Sequence, residues 1–224
     1  MKRLYFNYTW VPFSILLLFS SCTTSRSQEI GKEIMIFYPE NFVPERMLPS
    51  MMLLEEPKEQ GAVPSTWKVI PEFSEKDGKN IAKIAIEDGT DLYGTGEVLG
   101  GLSNNGKTVQ LWNTDNYAYK REDGRQLYQS HPWVMAVRKD GSAYGILIDN
   151  TWKQKITLTN PIVIESDGPA SRIIVIERES PQELVMALAE LTGTMEMPPL
   201  WALGFQQSRY SYTPDSRVKE IASE

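Results

Sequence analysis

The chain has 224 residues, 41% of them apolar and 23% charged, with 23 Lys and Arg against 29 Asp and Glu and a formal net charge of -6. That composition can bury a core, and scattered basic residues in an acidic chain exclude the clustered Lys and Arg that a nucleic-acid partner demands. One cysteine excludes an internal disulfide, and one histidine with no ligand-spaced Cys/His/Asp cluster leaves no metal site or cofactor to expect.

At the N-terminus, Met1, Lys2 and Arg3 carry or adjoin positive charge, Trp10 to Phe19 is mostly apolar, and Ser20 and Ser21 precede Cys22. Charge, apolar run and small residues in that order make a secretory signal, shorter than the roughly 20 apolar residues of a membrane span. A cysteine directly after the small residues resembles a bacterial lipoprotein signal, with residues 1–21 removed and Cys22 as the lipidation site. The other reading is a plain signal peptide with an incidental cysteine. Export is expected in both cases. The lipoprotein reading adds a membrane partner through the lipid anchor, in the periplasm or at the cell surface. The polar residues 22–28 then read as a flexible tether.

Residues 29–80 are punctuated by six prolines and show no clear period. From Ile81 alternation sets in, and strands are expected at 81–86, 108–112, 133–138, 143–149, 155–159, 162–166 and 172–177. Lys139-Asp140-Gly141, Asn160-Pro161 and Asp167-Gly168-Pro169 supply turns between them. Short strands at this spacing indicate a mainly β chain with an antiparallel β-sandwich rather than alternating β-α units. Gly94, Gly96, Gly100 and Gly101 read as a tight turn, His131 as structural and Trp112 as core.

The pattern changes at Ser180, an N-cap followed by Pro181 and by Glu183, with Leu184, Leu188 and Leu191 at helical spacing and Gly193 as the stop. The sandwich with its closing helix is therefore set at 29–193, and the proline-bearing residues 194–199 form a linker. Leu200 to Phe205 is almost wholly apolar, as in a parallel strand covered on both faces. A polar loop, residues 206–212, and a helix opening at Thr213-Pro214 follow. One strand and part of one helix close no sheet, so 200–224 reads as the start of a second domain that these residues do not finish.

Five ordered stretches resemble the family 31 glycoside hydrolases, the α-glucosidases and α-xylosidases. They are Tyr93 to Glu97, Trp112 to Asp115, Tyr128 to Pro132, Leu191 to Gly193 with Met197 to Pro199, and Trp201 to Tyr212. The resemblance implies a galactose-mutarotase-like sandwich followed by a (β/α)8 barrel, of which 200–224 would be the truncated first strand and partial helix. It implies that Asp115 hydrogen-bonds a sugar and that Tyr212 lines the pocket, with an α-glucoside oligosaccharide as the partner of the complete enzyme. From the residues alone, Asp115 reads equally as a turn residue and Tyr212 as loop packing.

A retaining glycosidase of this kind uses two carboxylates about 5–5.5 Å apart. The family places both on later barrel strands, and its Trp-x-Asp-Met-Asn-Glu nucleophile string does not occur in these residues. Residues 1–224 by themselves are therefore expected to lack catalytic carboxylates and glycosidase turnover. Two alternatives accompany that reading. One is a non-catalytic carbohydrate-binding surface lipoprotein whose segment after Pro199 docks on the sandwich as an accessory helix. The other is an inactive remnant.

Overall fold

Three strands are buried at successive positions rather than at every second one, Ile34–Tyr38 and Ala143–Ile148 throughout and Ile173–Arg178 over its first four residues, and they reveal the layering. A strand buried on both faces has to lie in a middle layer. The computed structural model describes residues 26–31, 33–54, 63, 67–115, 126–206 and 212–223.

The strands in chain order are β1 (Arg26–Gly31), β2 (Ile34–Tyr38), β3 (Glu72–Lys76), β4 (Lys79–Ile84), β5 (Asp91–Val98) and β6 (Thr108–Leu111). There follow β7 (Gln126–Val137), β8 (Ala143–Ile148), β9 (Gln154–Leu158), β10 (Ile162–Ser166) and β11 (Ile173–Arg178), then the helices α1 (Pro181–Thr192) and α2 (Asp215–Ser223). One sheet has the order β1-β2-β11-β8-β7-β5 and the other β3-β4-β10-β9-β6. Every pairing is antiparallel. The chain is thus mainly β and built on two stacked antiparallel sheets.

Alternate residues divide the core in two. Met35, Phe37, Tyr144, Ile146, Ile148, Ile173 and Val175 face the second sheet, where Ala82, Ile84, Val109, Ile156, Leu158, Ile162 and Ile164 meet them. Ile34, Ile36, Leu147, Ile174 and Ile176 face the other way, onto Leu184, Ala187, Leu188 and Leu191 of α1. The helix starts as its sequence dictates, with the Ser180 side chain accepting a hydrogen bond from Glu183 N at 3.3 Å. Burial pushes the Tyr144 phenol up to about 12, and the Arg138 guanidinium stacks over its ring at 4.6 Å.

The strands expected from Ile81 onward are present within a residue or two at most ends, β7 excepted, which begins seven residues before 133. Elsewhere the structure departs from expectation. Arg26–Gly31 pairs with β2, so the last residues of the supposed tether are already in the sheet. The stretch 29–80 contains β2, β3 and the first residues of β4. The glycine-rich stretch around Gly94 and Gly96 is a strand, bent by two register shifts, rather than a turn.

The largest departure is at residues 200–205, expected to be a strand. They form a 3-10 helix, Leu200–Leu203, closed by Ala202 N to Pro199 O at 2.9 Å and Gly204 N to Trp201 O at 3.2 Å. The reason is the accounting of backbone donors. A strand needs a neighbour to pair with, none of the described strands pairs with these residues, and the chain closes local bonds instead. Helix α2 has no buried residue, and Leu200, Trp201, Leu203 and Phe205 are exposed. The accessory helix docked on the sandwich, which the binding-protein alternative requires, is not what the structure shows.

Candidate functional site

Asp115 lies at the end of a short segment that leaves β6. Val109 and Leu111 point into the core, so the strand's alternation turns Trp112 outward, and it is 56% exposed. Its expected place in the core is therefore corrected, and the period-2 pattern of β6 was the signal that could have found this. Thr114 N then donates to Leu127 O at 2.7 Å, which ties the segment to the start of β7.

That tie brings Asp115 to Tyr128, whose phenol donates to Asp115 Oδ1 at 2.9 Å. The Tyr128 backbone N–H donates in turn to Glu97 Oε2 at 3.0 Å. One tyrosine is thus held between two carboxylates, one from the bent end of β5 and one from the segment after β6. Asp115 Oδ2 takes no hydrogen bond from any described residue. Asp115, Tyr128 and Glu97 are all exposed. An exposed carboxylate with one oxygen fixed and the other open to a ligand hydroxyl can orient a sugar through a charge-assisted bond. Tyr128 and Glu97 were not singled out from sequence, although both fall in stretches that carry the family resemblance.

The bend that places Glu97 is built from backbone that most residues avoid. Gly94, Thr95 and Gly96 have φ of 104°, 69° and 94° in succession. Thr95 is buried, and its Oγ1 donates to Gly94 O at 2.6 Å. A β-branched residue at positive φ is a strained position, and here it adjoins the glutamate that fixes Tyr128.

Tyr212 is partly buried and precedes α2. No hydrogen bond joins it to Asp115. Cys22 and residues 1–21 lie outside the described residues. His131 is exposed within β7.

Comparison with known proteins matches this architecture to one group. Residues 30–156 match the Glycosyl hydrolase 31 N-terminal galactose mutarotase-like domain. The chain belongs to that family, as its N-terminal domain. It is 41% identical over 140 residues to alpha-glucosidase 2 of Bacillus thermoamyloliquefaciens, covering 61% of this chain and 18% of that protein. Among solved structures it resembles a Family 31 alpha-glucosidase from Bacteroides thetaiotaomicron, at 55% identity and a TM-score of 0.57, over 67% of this chain and 26% of that one. A Flavobacterium johnsoniae GH31 dextranase, solved with glucose, shares the fold at 21% identity and a TM-score of 0.65, over 90% of this chain and 30% of that one. The chain therefore spans about a quarter or less of the alpha-glucosidases it matches.

Proposed function

We propose that this chain is the sandwich portion of an exported α-glucosidase-type glycoside hydrolase and forms one wall of its sugar pocket. The observation that carries this is the Asp115 carboxylate, fixed by Tyr128 on an exposed segment in a domain of this family. In this reading Asp115 accepts hydrogen bonds from the hydroxyls of an α-linked glucoside, and Tyr212 joins it from the side of the barrel. Residues 200–224 are the barrel's first elements, and exposed Trp201 and Phe205 become buried once neighbouring barrel strands pair with them. The bond-breaking carboxylates belong to the barrel, and the sandwich supplies orientation.

The test is Asp115→Asn in the full-length enzyme, an exchange that keeps shape and removes charge. The expected result is a loss of roughly 10- to 100-fold in kcat/KM on a chromogenic α-glucoside, equivalent to about 1.4–2.8 kcal/mol of transition-state stabilisation. The melting temperature is expected to stay within a degree or two, because Asp115 is exposed. A kcat/KM within twofold of wild type would remove Asp115 from the pocket.

Export and anchoring make a separate prediction. Metabolic labelling with a fatty acid is expected to mark the wild-type protein, and Cys22→Ser is expected to abolish both the label and recovery in the membrane fraction. Membrane recovery that survives Cys22→Ser would overturn the lipid anchor.

A further inference from the structure

A cleft of about 440 Å³ opens beside the end of β6 and the start of β9, bordered by Trp112, Asn113, Ser130, Asn150, Trp152 and Gln154. Asp115 and Tyr128 do not line it. We propose that this cleft is a second carbohydrate site on the sandwich, taking a pyranose unit of an α-glucan chain between Trp112 and Trp152. The glucan class rests on the function proposed above, whereas the argument for the cleft does not.

Its walls narrow the ligand chemistry. No Lys or Arg lines it, which disfavours an anion, and no Asp or Glu lines it, which disfavours a cation. The two indoles are 56% and 44% exposed, and indole faces suit a flat ligand with C–H surfaces. Two polar atoms on the walls have no partner, Ser130 Oγ and Gln154 Oε1. Gln154 is only 2% exposed, and its Nε2 donates to Asn150 O at 2.8 Å, so its amide orientation is fixed with the oxygen unanswered. Both atoms have almost no accessible surface, so a ligand hydroxyl reaches them only after a small shift of the wall. A purely aliphatic ligand would leave them unpaired. A neutral ligand rich in hydroxyls and carrying apolar faces answers indoles, hydroxyl and amide together.

The backbone at both tryptophans is held in place, and the Trp152 ring is packed as well. Trp112 N donates to Gln110 O at 3.0 Å, and Trp112 O accepts from Thr114 Oγ1 at 3.0 Å. Trp152 N donates to Asn150 Oδ1 at 2.7 Å, and the buried Asn150 donates to Ser166 Oγ at 3.1 Å. The Trp152 ring lies against Gly168 so closely that a Cβ added there would overlap it, coming within 2.6 Å of Trp152 Cβ. A side chain at residue 168 would push this indole from its position. A packed ring such as that of Trp152 loses little freedom when a ligand arrives, which favours binding.

The experiment is fluorine NMR on this chain labelled with 5-fluorotryptophan, titrated with maltoheptaose. Of the six tryptophans, the Trp112 and Trp152 resonances are expected to shift saturably, while Trp67 and Trp133, which pack against the cores, stay in place. Trp112→Ala is expected to weaken binding roughly tenfold or more at an unchanged melting temperature. Gly168→Ala is expected to move the Trp152 resonance before any sugar is added and to weaken binding as well. Asp115→Asn is expected to leave the titration unchanged, which separates this cleft from the pocket proposed above. Absence of a saturable shift overturns the proposal, as does a shift that Asp115→Asn abolishes.

Discussion

Arg172→Met is expected to destabilise the chain by about 3–5 kcal/mol, the cost of leaving one partner of a buried ion pair uncompensated. Arg172 Nε meets Asp149 Oδ2 at 2.7 Å, and their side chains are 3% and 0% exposed. Asp149 Oδ1 has further work, accepting from Ser50 N at 2.8 Å and from Ser50 Oγ at 3.3 Å. The pair therefore clamps the end of β8, the approach to β11 and the loop that carries Leu53 onto α1. Removing the guanidinium strands a carboxylate beside apolar strands and loosens all three. In a thermal melt the loss corresponds to roughly 10 °C for a domain of this size. Arg172→Met combined with Asp149→Leu should recover part of it, because no buried charge is then left alone. A single-mutant loss below about 1 kcal/mol would show that the pair contributes no more than a surface contact.

Gly96→Ala is expected to cost about 3 kcal/mol, from backbone strain at φ 94° together with overpacking. A Cβ at this position would overlap the Gln129 carbonyl and stand 2.9 Å from His131 N. Both are backbone atoms of the paired strand and cannot swing aside. The same change should reach the site, since Glu97 is the next residue and Tyr128 hangs from it. Under the function proposed above, full-length Gly96→Ala protein that still folds is expected to lose kcat/KM as well. Gly101→Ala is the control. A Cβ there meets nothing within 4 Å, and its φ lies outside the left-handed region, so its effect should stay within about 0.5 kcal/mol. Equal melting temperatures for the two variants would refute the assigned role of the β5 bend.

How far the sequence disclosed this fold depended on where each strand lies. β4, β6, β9 and β10 form most of the second sheet, and their residues alternate between buried and more exposed positions, which is the signal that period-2 reading detects. β2 is buried on both faces, so its Ile-Met-Ile-Phe-Tyr run carries no alternation, and it sits among prolines that suggest loop. β5 was obscured by its glycines, which belong to bends within a strand when a partner carbonyl leaves no room for Cβ. The site divides in the same way. Asp115 was reachable through a family motif, whereas the Tyr128 and Glu97 that hold it depend on strand register across β5 and β7. Local sequence does not contain that register.

The position of β11 has a consequence for how the chain is made. It lies between β2 and β8, so Ile36 pairs with Ile174 and the sheet has no middle until nearly the whole domain exists. A ribosome adding 5–20 residues per second leaves β2 waiting on the order of ten seconds for that neighbour. Through that interval the β1-β2 hairpin offers an open apolar edge to any other nascent chain or chaperone. A boundary drawn at residue 156, where the family match ends, would make the vacancy permanent. Expression of this domain should therefore extend through Thr192, so that α1 also covers the outer face of the sheet.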